Sequence, residues 1–131
     1  MPPDVTPYPK TAQLARGERR YRRKVASPKQ WQAIIAAKQG SCRVCVSPAS
    51  NGRLYGNIQF HHVVPRDLGG DDVADNIVPL CPDCHASITD RHHITAFILC
   101  ESLTDAEYAY AVGKLGEDVW TRCYGIEYGR A

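Results

Sequence analysis

The sequence predicts a small α+β domain: a strand–loop–strand–helix unit, stapled by paired cysteines and flanked by helices. Three observations carry this expectation. The stretch from Phe60 to Ile88 (FHHVVPRDLGGDDVADNIVPLCPDCHASI) sets two short apolar runs on either side of a Gly-Gly loop. Two Cys-x-x-Cys pairs belong to it, Cys42/Cys45 upstream and Cys81/Cys84 within it. Helix-start signals stand on both sides of it, Ser27-Pro28-Lys29-Gln30 before and Thr104-Asp105-Ala106-Glu107 after. With 131 residues the chain fits one domain of ordinary size.

Residues 1–26 read as a basic, flexible N-terminal arm and residues 27–131 as the folded domain. Pro2, Pro3, Pro7 and Pro9 oppose regular structure at the front, and Arg16–Lys24 (RGERRYRRK) follows as a dense basic run. Nine Lys/Arg against Asp4 and Glu18 give residues 1–40 a charge of +7, leaving −5 for the remainder of a chain whose net charge is +2. That asymmetry points to a surface aimed at an anionic polymer, with Arg19, Arg20, Arg22, Arg23 and Lys24 as phosphate-tracking candidates. No apolar run approaches the roughly 20 residues of a membrane span, and Met1-Pro2-Pro3-Asp4 lacks the pattern of a secretory signal. The reading is a cytoplasmic protein with reduced thiols and no membrane partner.

The first helix begins with Ser27 as cap, Pro28 at the first helical position and Gln30 closing a capping box. Trp31, Ile34 and Ile35 share one face, which predicts a core-packing helix with Lys29 and Lys38 on its wet side, ended by Gly40. Residues 47–56 are turn-rich. Asn57–Val64 alternates as a strand that Pro65 stops. Arg66–Asp75 is a polar loop bent at Gly69-Gly70, Asn76–Leu80 a second strand, and Cys81-Pro82-Asp83-Cys84 opens a helix running through His85 to Ile88. The central unit thus spans about 57–90. Helices follow over 94–124: an apolar one through Leu99, one from Thr104 to a stop at Gly116, and a short one holding Val119, Trp120 and Cys123. The tyrosine-rich C-terminal third reads as packing or self-association surface.

Cys-x-x-Cys spacing lets one turn present two sulfurs to a single ion, so Cys42, Cys45, Cys81 and Cys84 predict a closed, tetrahedral, structural Zn²⁺ site. Cys100 and Cys123 lack partner spacing and read as core. His61, His62 and His85 are left over by a zinc ion already full. A lone histidine is more often structural, but two in tandem on a strand with a third directly after a zinc cysteine call for a function.

At these residues the chain resembles the HNH endonuclease family. The resemblance rests on His61-His62-Val63-Val64-Pro65, then Gly69-Gly70-Asp71-Asp72-Val73-Ala74-Asp75-Asn76, then Leu80-Cys81-Pro82-Asp83-Cys84-His85. It covers roughly the middle third of the chain plus the Cys42/Cys45 pair. It implies a ββα-metal core and metal-dependent cleavage of phosphodiester bonds in double-stranded DNA, by nicking or by cutting both strands. Carried over by position, His62 is the general base and His61 and His85 ligate one divalent ion. Asn76 holds the loop and orients His62 through its amide, and Arg66 grips a phosphate. Many relatives carry Asp where this chain has His61, so the resemblance implies a catalytic ion chosen from Mn²⁺, Ni²⁺, Co²⁺ or Mg²⁺ with the first three favoured. His92 and His93 match no family position and read as surface residues.

Two competing readings remain at this level. One is a zinc-stabilised DNA-binding module without chemistry, which leaves the three histidines without a task. The other, suggested by phage-encoded members of the family, is an accessory nuclease acting beside a packaging or recombination partner. Monomer and homodimer are both compatible with the sequence.

Overall fold

A computed structural model describes residues 23–46 and 58–129. Arg19, Arg20, Arg22 and the expected loop at 47–56 lie outside the described residues. The elements are α1 (Pro28–Lys38), β1 (Gln59–His62), β2 (Ile77–Leu80), α2 (Pro82–Thr89), α3 (His93–Ser102), α4 (Asp105–Leu115) and α5 (Val119–Tyr124), with single 3₁₀ turns at Arg66–Leu68 and Ala74–Asn76. The α+β architecture and the order of its parts agree with expectation. Among the described residues no helix is long and apolar enough to cross a membrane.

β1 and β2 form an antiparallel hairpin with His62 opposite Ile77 and Gln59 opposite Leu80. The first strand is shorter than its alternating pattern because Val63 and Val64 leave the ladder. Val63 N donates to Asn76 O, and the Asn76 side chain takes both polar groups of the Val64 backbone. Every residue of β2 is buried: α1 and α2 pack against it while the later helices close the core. Val63, Val64, Val78, Leu80, Ile88, Leu99 and Trp120 are the heart of that core.

Both expected capping boxes are formed. Ser27 Oγ accepts from Gln30 N while Gln30 Oε1 accepts from Ser27 N, and Thr104 and Glu107 do the same for α4. Gly116 ends α4 as read from the sequence.

Two differences concern the front of the domain. None of α1 is buried: Trp31, Ile34 and Ile35 are half-covered, because α1 lies across the rim of the hairpin rather than between layers. Lys38, expected on the wet side, bonds Glu107 at 2.5 Å, and Arg43 reaches the same carboxylate at 2.7 and 2.9 Å. Glu107 is fully buried, so this triad fastens α1, the first cysteine turn and α4 to one point.

Residues 23–26 are docked on the loop before β2: Arg23 Nε donates to Gly70 O, Asp72 N donates to Lys24 O, and Ala26 N donates to Asp72 Oδ2. Residues 23–26, the last four of the expected arm, are thus held against this loop.

Candidate active site

The Gly-Gly loop shapes the site before any catalytic side chain enters it. Gly69 adopts φ +87, the left-handed region glycine favours. Gly70 lies so close to the preceding strand end that a Cβ there would sit 1.7 Å from Val64 O and 2.9 Å from Asn76 Nδ2. That approach lets the buried Asn76 amide bridge the loop: Nδ2 donates to Val64 O (3.1 Å) and Asp71 O (3.0 Å), while Oδ1 accepts from Val64 N (2.8 Å). The two residues after β1 are thereby held still, and the histidine pair ahead of them with them.

Adjacent strand residues face opposite ways, and His61 and His62 do so. His61 turns toward α2 and α5. Its ring meets His85 edge-on at 5.3 Å between centroids, and its Nε2 lies 3.1 Å from Tyr124 Oη. The Tyr124 hydroxyl has one proton and donates it to Val63 O at 2.5 Å. It can therefore only accept from His61, which places the imidazole proton on Nε2 and leaves Nδ1 with a lone pair. His85 Nδ1 faces the Gln59 carbonyl oxygen at 2.6 Å, which puts its proton on Nδ1 and frees Nε2. His62 turns the other way, stacks on Trp31 with 5.9 Å between centroids, and points Nε2 at Asp72 Oδ1, 2.8 Å away. A carboxylate only accepts, so Nδ1 is the free nitrogen of His62. His61, His62 and His85 nonetheless line one open pocket, together with Phe60, Pro65, Asp67 and Arg66.

Electrostatics keep the three rings neutral. Burial, then the neighbouring His85 and His62, pushes His61 down to about 3. Burial lowers His85. It lowers His62 too, with the Asp72 hydrogen bond working against it and Arg66 reinforcing it. At Asp72 burial favours the acid, but the Ala26 amide, His62 and Arg23 outweigh it and hold the carboxyl below its usual range. Neutral imidazoles, each with one ring nitrogen left unprotonated, are what metal ligation and general-base chemistry require.

The four cysteines form a separate cluster. One ligand sulfur from each of Cys42, Cys45, Cys81 and Cys84 lies within 4.8 Å of all the others. Cys81 caps α2, accepting from Cys84 N, and the Cys42–Cys45 turn is tied to β2 by Arg43 N donating to Pro79 O at 2.9 Å. Burial pushes the Cys81 and Cys84 thiols up, and the surrounding thiols reinforce this at Cys84. Such a cluster favours protonated thiols unless a cation joins it, and four sulfurs with no open position suit a structural Zn²⁺.

Comparison with known proteins agrees with this geometry. Residues 42–91 match the family model described as HNH endonuclease, from the first zinc cysteine to the end of α2. This stretch is similar to HNH endonuclease domains. The chain is also 38% identical over 64 residues to the type IV methyl-directed restriction enzyme EcoKMcrA of Escherichia coli (strain K12). That alignment takes in 46% of this chain and 22% of the relative, so the chain spans about a fifth of the length of the curated protein it matches.

Within this region the structure gathers the sequence-derived residues unevenly. His61, His62, His85 and Arg66 come together, and the four cysteines form their own site. Asn76 holds the loop as expected, but its amide bonds go to Val64 and Asp71, and the partner of the His62 ring is Asp72. Arg23, expected to track phosphates, is instead clamped by Asp72 and Gly70 O. Lys24 is exposed. His92 and His93 are surface residues, stacked on one another, with His92 capping α3.

Four residues of the site escaped sequence reasoning. Asp72 occupies the aspartate of the Gly-Gly-x-Asp pattern, which was a usable signal. Gln59 stands two residues before His61 and so shares its strand face, a second usable signal. Trp31 was read only as a packing residue. Tyr124 lies 63 residues beyond His61, and no local pattern marks it.

Proposed function

We propose that this chain is a metal-dependent endonuclease of double-stranded DNA, with His62 as general base and His61 and His85 holding one divalent cation. The observation that supports this most is the set of hydrogen-bond partners of the three rings. Each imidazole is bonded through one nitrogen to a protein acceptor, leaving His61 Nδ1, His85 Nε2 and His62 Nδ1 available beside one pocket. A divalent ion bound there supplies charge stabilisation to the scissile phosphate and the leaving 3′-oxygen.

The chain's own residues do the remaining work. His62 Nδ1 takes the proton of the attacking water, and the Asp72 carboxylate stabilises the imidazolium that results. Stacking on Trp31 fixes the plane of that ring. Arg66, exposed on the pocket rim, grips a phosphate oxygen. Asn76 keeps the loop closed beneath them. With two imidazoles and no carboxylate as protein ligands, the site prefers Mn²⁺, Co²⁺ or Ni²⁺ over Mg²⁺.

Incubating supercoiled plasmid with the zinc-loaded protein and Mn²⁺ tests this reading. Nicking that EDTA abolishes, and that His62→Ala slows by about 10²–10⁴ while duplex binding persists, is the expected result. Intact plasmid despite tight duplex binding would favour a zinc-stabilised DNA-binding module. The likeness to EcoKMcrA favours one biological setting, restriction of modified DNA. Comparing methylated with unmethylated plasmid in the same assay decides that point.

A further inference from the structure

We propose that a second pocket, beside the histidines, binds a backbone phosphodiester of the DNA through Arg91 and Arg122. The inference rests on the nucleic-acid substrate proposed above and adds where the strand runs after it leaves the cation site. His61, Pro65 and Asp67 line both pockets, so the two share a wall. Beyond that wall the second pocket, about 390 Å³ in volume, is bordered by the end of α2 and by α5. Arg91 comes from the first and Arg122 from the second.

Three features single these arginines out. Arg91 has φ +58, the left-handed region, at the position just past a helix end where glycine is the favoured residue. A side chain with a Cβ sits there at a conformational cost of about 1 kcal/mol, and Arg91 N donating to Ile88 O needs no side chain at all. Among the described residues, no hydrogen bond or ion pair engages the Arg91 guanidinium, and Arg122 makes only a long 3.5 Å bond to Leu115 O. The charge of the lining is unbalanced as well: Asp67 is its one acidic residue, against two arginines. Leu68, Ile88 and the Tyr124 ring back the pocket, and apolar walls strengthen the pull of guanidinium groups on an anion. An open, cationic pocket continuous with a phosphodiester-cleaving site fits a neighbouring phosphate of the bound strand better than a free metabolite.

The test measures duplex binding by zinc-loaded His62→Ala protein across a salt series without added divalent ion. Each phosphate contact removed lowers the slope of log affinity against log salt by about 0.9, so adding Arg91→Gly and Arg122→Gln together, which abolishes the one contact, should lower it by about 0.9. Arg91→Lys should retain its share. Arg91→Gly is compatible with the backbone at that position, so its melting temperature should stay level or rise, and zinc content should not change. An unchanged slope in a double variant with unaltered zinc content and melting temperature overturns the proposal. The plasmid assay on wild-type protein separates this from the catalytic reading. Cleavage with an unchanged slope sinks the second pocket alone, whereas a lowered slope without cleavage supports the pocket and sinks the chemistry.

Discussion

Replacing Glu107 by glutamine should cost the folded protein about 3 kcal/mol at pH 7. Burial alone would raise this carboxyl, but Arg43, Lys38 and the Thr104 amide outweigh it and hold it at about 2, against an ordinary value of 4.5. A downward displacement of that size corresponds to about 3 kcal/mol of stability, close to the 3–5 kcal/mol typical of breaking a buried ion pair. The lower end applies because Arg43 and Lys38 remain partly exposed and can turn to water. Glutamine keeps an oxygen for the Thr104 capping bond, so the substitution isolates the charge. The folded value lies below the unfolded one, so the contribution is fully present above about pH 4.5 and fades as pH falls toward 2. Urea unfolding of zinc-loaded wild type and Glu107→Gln should therefore give a constant difference from pH 8 to pH 5, shrinking only in more acid solution. Zinc release from the thiolates in acid affects both proteins, and taking the difference removes it while both remain folded. A difference under about 0.5 kcal/mol at pH 7, or one that declines between pH 8 and 6, would refute the argument.

Two further perturbations probe the site. Tyr124→Phe removes the hydroxyl that accepts from His61 and should weaken Mn²⁺ binding by about 10–100-fold. Its fold should lose only about 1 kcal/mol for the Val63 bond, and calorimetric titration with Mn²⁺, which should find no change if the hydroxyl is idle, is the check. Gly70→Ala places a methyl 1.7 Å from Val64 O; backbone cannot yield as a flexible side chain can, so the variant should lose more than about 4 kcal/mol or fail to fold. Circular dichroism and zinc content report on it, and a near-native melting temperature would contradict the close approach.

What the sequence discloses and what it withholds divide along physical lines. The two capping boxes, the cysteine spacing and the opposed directions of His61 and His62 are consequences of short-range geometry, and each was legible residue by residue. Glu107 was legible too, but only as a helix cap. Its second task, neutralising Lys38 and Arg43, depends on contacts across 69 and 64 residues. The same holds for Tyr124, and for Trp31, whose indole stacks on the His62 ring. Hydrophobic periodicity says that a face is covered without saying by what. Arg23 is the reverse case: a basic run suggests a solvated or nucleic-acid-facing strip, and only the fold reveals that one member of it closes a carboxylate loop.

The hydroxyl of Tyr124 has a consequence for anyone wishing to move this site into another scaffold. The recognisable segment stops at residue 91, yet the hydroxyl that bonds the His61 ring arrives from α5, 33 positions later. A transplant cut at the motif's borders would carry every signature residue and still lack that restraint. The minimal portable unit is set by the hydrogen bonds, and it extends to the last helix.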